Sequence, residues 1–522
     1  TTDNDTPYTR GEDSGQNQWT WQHYNATVGY DGTFGRHVVS ASAGILYNIY
    51  KTDFSQNGAA GKMVEYRHMT VNGAVNYAYD DRYVATFSFA ADGSDNYRPG
   101  NRWGFYPSLG LGWIVSRERF LRDSRMVDLL KLRASVGKNG WDPMGEMRYL
   151  WEGYYTGRGG LNTGNSEHTW HGGTALSYLP NPDVFAEKSL KYDAGIDLRL
   201  WNRLSLNVDL FLEKRSGIVT QDWMIPGASG VDNPPYRNIG RMTNKGFEVQ
   251  LSWADRIGDF NYALTGMASY NSNKVDYMAE VVTVPTAART GRRLDALFGY
   301  VADGFYDWDD FDVGGELREG LPKPTFGAVQ PGDIKYKNLN GDTVIDENDQ
   351  TAIGDSYLPK LQYSFSLAAS YKGFDLFALF QGAAGRDVNL LDAPLQNVAF
   401  RDNGNVYGIA EGRWAYYPEQ GIDTRATATY PRLSLQDNSN NYRNSTLWKR
   451  SGDFLKLRNV ELGYTFAQPS LSKAGISKIR IYLSGVNLLT VSRLMRDYDI
   501  DPEILSGHPA LKSYNLGLTV TF

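Results

Sequence analysis

The stretch Ser513–Phe522, SYNLGLTVTF, constrains this chain most. Tyr514, Leu516, Leu518, Val520 and Phe522 fall on one side, and Asn515, Gly517, Thr519 and Thr521 on the other. Side chains of a strand alternate faces with period two, so this is one apolar and one small, polar face. A soluble sandwich strand has the same alternation. Its repetition along the whole chain favours a transmembrane barrel, whose apolar side meets lipid and whose polar side meets a wet lumen.

Composition agrees. The 522 residues are 13% aromatic, with 35 Tyr and 13 Trp. Mean hydropathy is −0.47. No apolar run approaches the roughly 20 residues of a spanning helix, whereas alternation keeps a barrel's mean hydropathy low. The absence of Cys removes disulfides and thiol chemistry. A net charge of −6 without a basic run argues against a nucleic-acid partner. The polar opening TTDNDTPYTRGEDSGQNQ has no export signal, so either a signal has been removed or this is the later part of a longer chain.

The pattern predicts about fifteen strands, each near the roughly 9–11 residues that cross a bilayer at a tilt. Trp19–Tyr30 and His37–Tyr50 flank a turn expected at Asp31-Gly32, and Glu65–Tyr79 and Tyr83–Ala91 flank Asp80-Asp81. The clearest pair runs Tyr192–Leu200, turns at Trp201-Asn202-Arg203, and returns through Leu204, Leu206, Val208, Leu210 and Leu212. Charged residues lie opposite, and Phe211 breaks that side once. Another pair turns at Lys372-Gly373. Short turns alternate with long connections near 139–188, 214–243, 273–360 and 385–453, the periplasmic and extracellular sides of an outer-membrane barrel. The first strand then runs inward, and an odd count requires several strands to precede it. Trp103, Phe105, Tyr106, Trp113, Trp253, Tyr464 and Phe466 are expected in interfacial girdles.

Several segments, in order, resemble SusC-like (RagA-like) TonB-dependent transporters of Bacteroidetes. They include GAVNYAYDDRYVATFSFAADGSDNYRPGNRWGFYPSLGLGWIVSRERFL, NPDVFAEKSLKYDAGIDLRLWNRLSLNVDLFLEK, GRMTNKGFEVQLSW, PGDIKYKNLNGDTVIDENDQTAIGD, FLKLRNVELGYTF and IRIYLSGVNLLT. The match runs from about Gly73 to Phe522. The resemblance implies an outer-membrane barrel of about 22 strands with an amino-terminal plug. It also implies a TonB box ahead of the plug, a SusD-like surface lipoprotein as lid, and TonB-driven import of glycan or peptide oligomers. No plug, TonB box or early strands are found. The chain therefore reads as a single domain, 1–522, forming the carboxy-terminal portion of such a barrel, with about seven strands and the plug supplied elsewhere.

Three constellations are candidates for chemistry. NLNGDTVIDEND, Asn338–Asp349, resembles a calcium loop. Asn338, Asn340, Asp342 and Asp346 offer side-chain oxygens, Val344 a carbonyl, and Asp349 the closing carboxylate. Asn338 stands where Asp is usual, and Thr343 where Gly makes the sharp turn. The alternative is an Asx-rich turn held by its own hydrogen bonds. No other cofactor is expected. Second, the loop aromatics Trp141, Trp151, Tyr154, Tyr155 and Trp170, with Trp414, Tyr416, Tyr417 and Tyr430, are candidate substrate or lid contacts. The alternative is that they pack the loops themselves. Third, Asp307, Asp309, Asp310 and Asp312 form an acidic run, read as a solvated turn because nothing sets an acid against a base. The six His are scattered; His168 and His171 lie close, without a third ligand. The reading is a nutrient importer and not an enzyme. The alternatives are a surface adhesin, which needs no plug, and a secreted β-sandwich enzyme acting on polysaccharide, which needs no detergent.

Overall fold

The computed structural model describes residues 19–53, 63–142, 149–153, 155–163, 169–176, 178–226, 233–282, 284–392, 397–400, 404–435, 438–466, 475–508 and 510–522. Its frame is one antiparallel sheet of fifteen strands, each paired with its neighbours in sequence. They are β1 (Trp19–Phe34), β2 (His37–Asp53), β3 (Met63–Tyr79), β4 (Tyr83–Ser94), β5 (Trp103–Ile114), β6 (Val127–Trp141), β7 (Glu187–Leu200) and β8 (Leu204–Gln221). They continue as β9 (Tyr236–Ile257), β10 (Phe260–Tyr277), β11 (Leu361–Tyr371), β12 (Phe374–Ala384), β13 (Phe454–Phe466), β14 (Lys478–Ser492) and β15 (Ser513–Thr521). Strands β1 and β15 form the sheet's two edges. No helix among the described residues is long and apolar enough to cross a membrane.

Register explains why the sheet has two different faces. Val75 pairs with Phe87, Phe87 with Leu109, Leu109 with Val136 and Val136 with Tyr192. Further along, Ala194 pairs with Leu210 and Leu210 with Phe247. At the other edge Leu462, Leu483 and Leu516 pair in a row of their own. Period two thus carries apolar residues onto one side of every strand and lines them up across strands. These residues stay open to the surroundings, as Leu210 does at 56% exposure. No second sheet packs over them among the described residues, which is the arrangement of a lipid-facing belt and not of a sandwich core.

Three of the hairpin turns fall as expected. Asp80 and Asp81, Trp201 and Asn202, and Lys372 with Gly373 all have positive φ, the backbone that tight hairpins of this hand require. The first turn does not. Asp31 and Gly32 lie inside β1, paired with Ser40 and Val39, and the chain reverses at Gly35-Arg36. Gly35 supplies the positive φ of 63° there.

Most strands outrun the expected length. β8 has 18 residues and β9 has 22, so the connection expected at 214–243 shrinks to 222–235. A bulge at Ser216–Ile218 marks where the pair changes register beyond the belt. The connection expected at 139–188 likewise gives its ends to β6 and β7 and holds a separate hairpin, Tyr155–Thr163 with Thr169–Leu176. Phe211, the apolar break on the polar face, sits opposite Gly246. A Cβ on Gly246 would lie 2.5 Å from that ring, so the missing side chain makes its room.

The girdle is visible at both ends. Tyr83 and Trp113 pair at the short-turn end. Both donate to Glu118, from Oη at 2.6 Å and from Nε1 at 3.1 Å, and Arg82 also bonds that carboxylate. Trp103 and Phe105 are exposed at the other end. Tyr106 departs from the expectation: it has the opposite parity and is only 8% exposed. A Cβ on Gly104 or Gly140 would lie 2.0 Å from its ring or hydroxyl, so two glycines make space for it off the outer face.

Candidate functional site

The polar face of the wall supplies the first part of the site. Arg133 of β6 bonds Asp209 at 2.6 Å and pairs with Asp193 at 3.5 Å and Asp197 at 3.4 Å. Nearer β15, Arg480 reaches Asp375 and Glu461. Between these clusters, Asn207, Asp209, Glu248, Gln250, Gln362 and Gln381 line an open depression of about 330 Å³. These amides and carboxylates were not singled out from the sequence. Their signal was present: they occupy the non-apolar parity of strands already recognised. Val249, Met267 and Tyr363 line it as well, so the surface offers donors and acceptors to hydroxyl- or amide-rich solutes beside a few apolar contacts.

The second part is a folded body built from the long connections. Tyr300, Ile334, Tyr336 and Ile345 come from 278–360, and Val388, Leu390, Ala399, Ala410, Tyr430 and Trp448 from 385–453. Leu494 comes from the short helix α1 (Arg493–Tyr498). Together they form one buried core. Its polar tips are satisfied: Trp448 Nε1–H donates to the Asn441 carbonyl at 2.7 Å, and Tyr336 Oη–H to that of Asn440 at 2.7 Å. Burial raises the Tyr336 phenol above its ordinary range.

Asp333 ties the two connections together. It has no solvent exposure. Its carboxylate meets Arg432 at 2.7 Å and accepts from Asn438 and Asn441 at 2.9 Å each, and from the Gln330 N–H at 2.8 Å. A buried carboxylate is tolerable only when so many donors replace water.

The body is joined to the wall at Lys456 of β13. This ammonium is 1% exposed and donates to Asp501 at 2.7 Å and to Glu503 at 2.7 Å. Arg458, the residue skipped where β13 bulges against both neighbours, also reaches Glu503. Burial would raise the Glu503 carboxyl, but the bonds from Arg458 and Lys456 outweigh it and hold it below its ordinary value of 4.5.

The predicted aromatics divide. Tyr155 and Trp170 are exposed on the hairpin, and Trp141 is exposed at the end of β6. Tyr417 is exposed, and Tyr416 lies half-buried beneath Arg425, 3.9 Å from ring centre to guanidinium carbon. Trp151 is half-buried. Trp414 and Tyr430 belong to the packing of the body. Trp414 covers Gly332, where a Cβ would come within 2.6 Å of its ring. Tyr430 packs edge-on to Trp448 at 5.4 Å and donates to the Asn397 carbonyl. Tyr154 and His168 lie outside the described residues.

The loop at 338–349 spends its oxygens internally. Asn338 Oδ1 accepts the Gly341 N–H at 2.6 Å, Asp342 Oδ1 that of Val344 at 2.8 Å, and Asp346 Oδ1 that of Asn348 at 2.8 Å. Asp349, fully buried, accepts Leu339 N–H at 2.7 Å and Asp346 N–H at 2.9 Å. Among the described residues no three carboxylate or imidazole groups converge on a point. The donor set therefore fits a self-bonded Asx turn better than a calcium cage. The acidic run behaves similarly. Asp307 and Asp310 cap a short 3-10 turn, Asp310 meets Lys335 at 3.1 Å, and Asp312 accepts two N–H groups of its own turn.

Comparison with known proteins places this architecture. The chain is 26% identical to TonB-dependent receptor P3 of Formosa agariphila over 94% of its length and 51% of that protein. It is 29% identical to receptor P26 of the same organism, over 91% of this chain and 48% of that protein. It is 26% identical to TonB-dependent receptor SusC of Bacteroides thetaiotaomicron, over 86% and 43%. The chain thus spans about half the length of the curated relatives it matches. The fold is shared with a solved structure of the RagAB peptide transporter at a TM-score of 0.71 and 21% identity, covering 97% of this chain and 55% of that one. A family profile described as "TonB dependent receptor-like, beta-barrel" matches residues 1–488. With an apolar belt outside, a polar wall inside and a profile match over nearly its whole length, the chain belongs to the TonB-dependent receptor-like β-barrel family of the outer membrane.

Proposed function

We propose that the chain forms the carboxy-terminal barrel portion of a SusC-like importer that brings glycan or peptide oligomers across the outer membrane. In this reading the whole protein also supplies a plug and the remaining strands, a SusD-like lipoprotein closes over the outer end, and TonB delivers the energy. The observation that carries the reading is the contrast between the two faces of one wall: outward rows of Leu, Val and Phe, and an inward surface of amides and carboxylates around Asn207, Gln250 and Gln381. A wall of this kind separates lipid from a hydrated passage. The role is binding and passage, with no bond made or broken by the chain.

The exposed Trp141, Tyr155, Trp170 and Tyr417 are the rings open to an oligomer or a lid, because each leaves a flat apolar face uncovered. The test is affinity purification of the tagged whole protein from outer membranes, paired with growth of a deletion strain on oligomeric glycan or peptide. Co-purification of a surface lipoprotein, together with loss of growth on one oligomer class and not on its monomers, is the expected result. Purification without such a partner and unchanged growth on both classes would contradict it.

A further inference from the structure

The outward face of β2–β5 ends, at the long-connection end, in a pocket of about 440 Å³. Its floor is the paired row Tyr47, Met69, Gly93 and Trp103. This row has the parity of the apolar rows beneath it, such as Ile45, Val71, Ala91 and Phe105. Its depth can be placed. Met69 stands ten residues along β3 from Tyr79, which pairs with the girdle residue Tyr83 at the short-turn end. At about 3.3 Å per residue and a tilt of about 40°, that rise is about 25 Å, the height of an outer-membrane apolar band. The pocket therefore opens where lipid tails give way to headgroups. Trp103 lies against Gly93, where a Cβ would come within 2.8 Å of the indole, as expected of an interfacial ring.

Above that floor the pocket collects hydrogen-bond donors with spare capacity. Arg102 lines it and spends its Nε–H on the Tyr97 carbonyl at 3.0 Å. Among the described residues no carboxylate lies within ion-pair reach of it. Trp151 lines it too, and its buried Nε1–H has no acceptor among the described residues. Arg67 contributes a second guanidinium, paired on one side with Glu65. Two carboxylates share the lining: Asp95, which accepts the backbone N–H of Arg67 at 3.0 Å, and Glu152, which is exposed.

We propose that this pocket binds the phosphate group of an outer-leaflet lipid, with Arg102 and Arg67 on the phosphate, the Trp151 N–H on one of its oxygens, and the acyl chains on the belt below. A guanidinium fork matches phosphate geometry, and an interfacial Trp fixes the depth of the chain–headgroup boundary. The site is on the outside of the wall and is independent of what passes through the inside.

The test uses the intact protein in phosphatidylcholine nanodiscs doped with phosphatidic acid, with retained lipid counted by native mass spectrometry. Each of Arg102→Gln and Arg67→Gln should lower retained phosphatidic acid about fivefold, the effect of one interfacial arginine on an anionic lipid. Glu152→Gln should raise it, and Arg256→Gln, an exposed arginine at the short-turn end, should leave it unchanged. Raising salt should lower retention by the unaltered protein, a readout that needs no variant. Equal retention by the unaltered protein and both arginine variants would overturn the proposal, as would retention insensitive to salt. Displacement of the lipid by inorganic phosphate at equal concentration would also overturn it, since the site would then be one for free phosphate.

Discussion

The wall and the body on its outer end are stabilised by different means. The wall has almost no interior. Its strands hold each other by a continuous hydrogen-bond ladder, and its Leu and Val rows are satisfied by lipid. The body is built like a soluble domain, with Trp448, Ile334, Ile345 and Leu494 buried and a charged group, Asp333, sealed among donors. The wall should therefore tolerate changes at its inner polar positions and fail when charge is placed on its outer face. The body should fail when its polar lock is opened, while the wall beneath stays assembled.

The largest expected effect tests the second half of this contrast. Asp333→Ala leaves the Arg432 guanidinium and two buried amides without their acceptor and should cost about 3–5 kcal/mol locally. Hydrogen exchange should rise across 297–354 and 404–435, while the strands keep their protection and the barrel still migrates as folded in cold gels. Loss of the folded barrel band would show that body and wall are one cooperative unit. The next effect tests the wall. Leu210→Arg, whose side chain lies near mid-belt, should cost about 2–4 kcal/mol and reduce outer-membrane assembly. Asn207→Arg, of opposite parity, should assemble normally. Equal assembly of the two variants would dissolve the distinction between the faces.

How much of this was legible in the sequence follows from the same contrast. Period two is local, so Leu204–Leu212 announced its faces unaided, and the Asp80-Asp81 and Lys372-Gly373 turns announced the reversals. Asp31-Gly32 misleads because an Asp-Gly pair can also lie extended within a paired strand, and the reversal falls to Gly35 with its positive φ. Tyr106 misleads because nearness to a strand end does not decide the face: its parity is opposite to that of Trp103 and Phe105. Of the body, only the alternative that loop aromatics pack the loops themselves is legible, as Trp414 and Tyr430 do; its contacts are not. Asp333 and Arg432, or Tyr300 and Ser445, meet only after long connections fold together, and no local spacing encodes that. The burial of Trp414 is of this kind, as are the neighbours of the pocket formed by Arg102, Trp103 and Trp151.

Smaller effects refine the account of the body. Asp349→Ala removes the acceptor of two N–H groups in the 338–349 loop and should cost about 1–3 kcal/mol, read as faster exchange at Leu339 and Asp346. Acid should loosen the joint at Lys456. The Glu503 carboxyl is held below 4.5 in the fold, so its contribution is present above that value and is lost as pH falls through and below it. Exchange at 499–508 should therefore rise as pH falls below 4.5, and Glu503→Gln should remove most of that dependence. The smallest expected effect is none: millimolar calcium should leave the thermal midpoint of the whole protein unchanged, because the loop oxygens already serve N–H groups. A calcium-dependent rise would restore the cation reading.

The claim beneath all of this is that successive residues of one strand face oil and water in turn. These 522 residues contain no Cys, so with any cysteine elsewhere in the whole protein replaced by Ser, single cysteines at positions 204–212 can each carry a nitroxide without background. In the intact protein in a bilayer, accessibility to oxygen should peak at 206, 208 and 210, and accessibility to a water-soluble nickel chelate at 205, 207 and 209, the two profiles alternating out of phase. Profiles that rise and fall together, or a chelate maximum at 206, 208 and 210, would contradict the account.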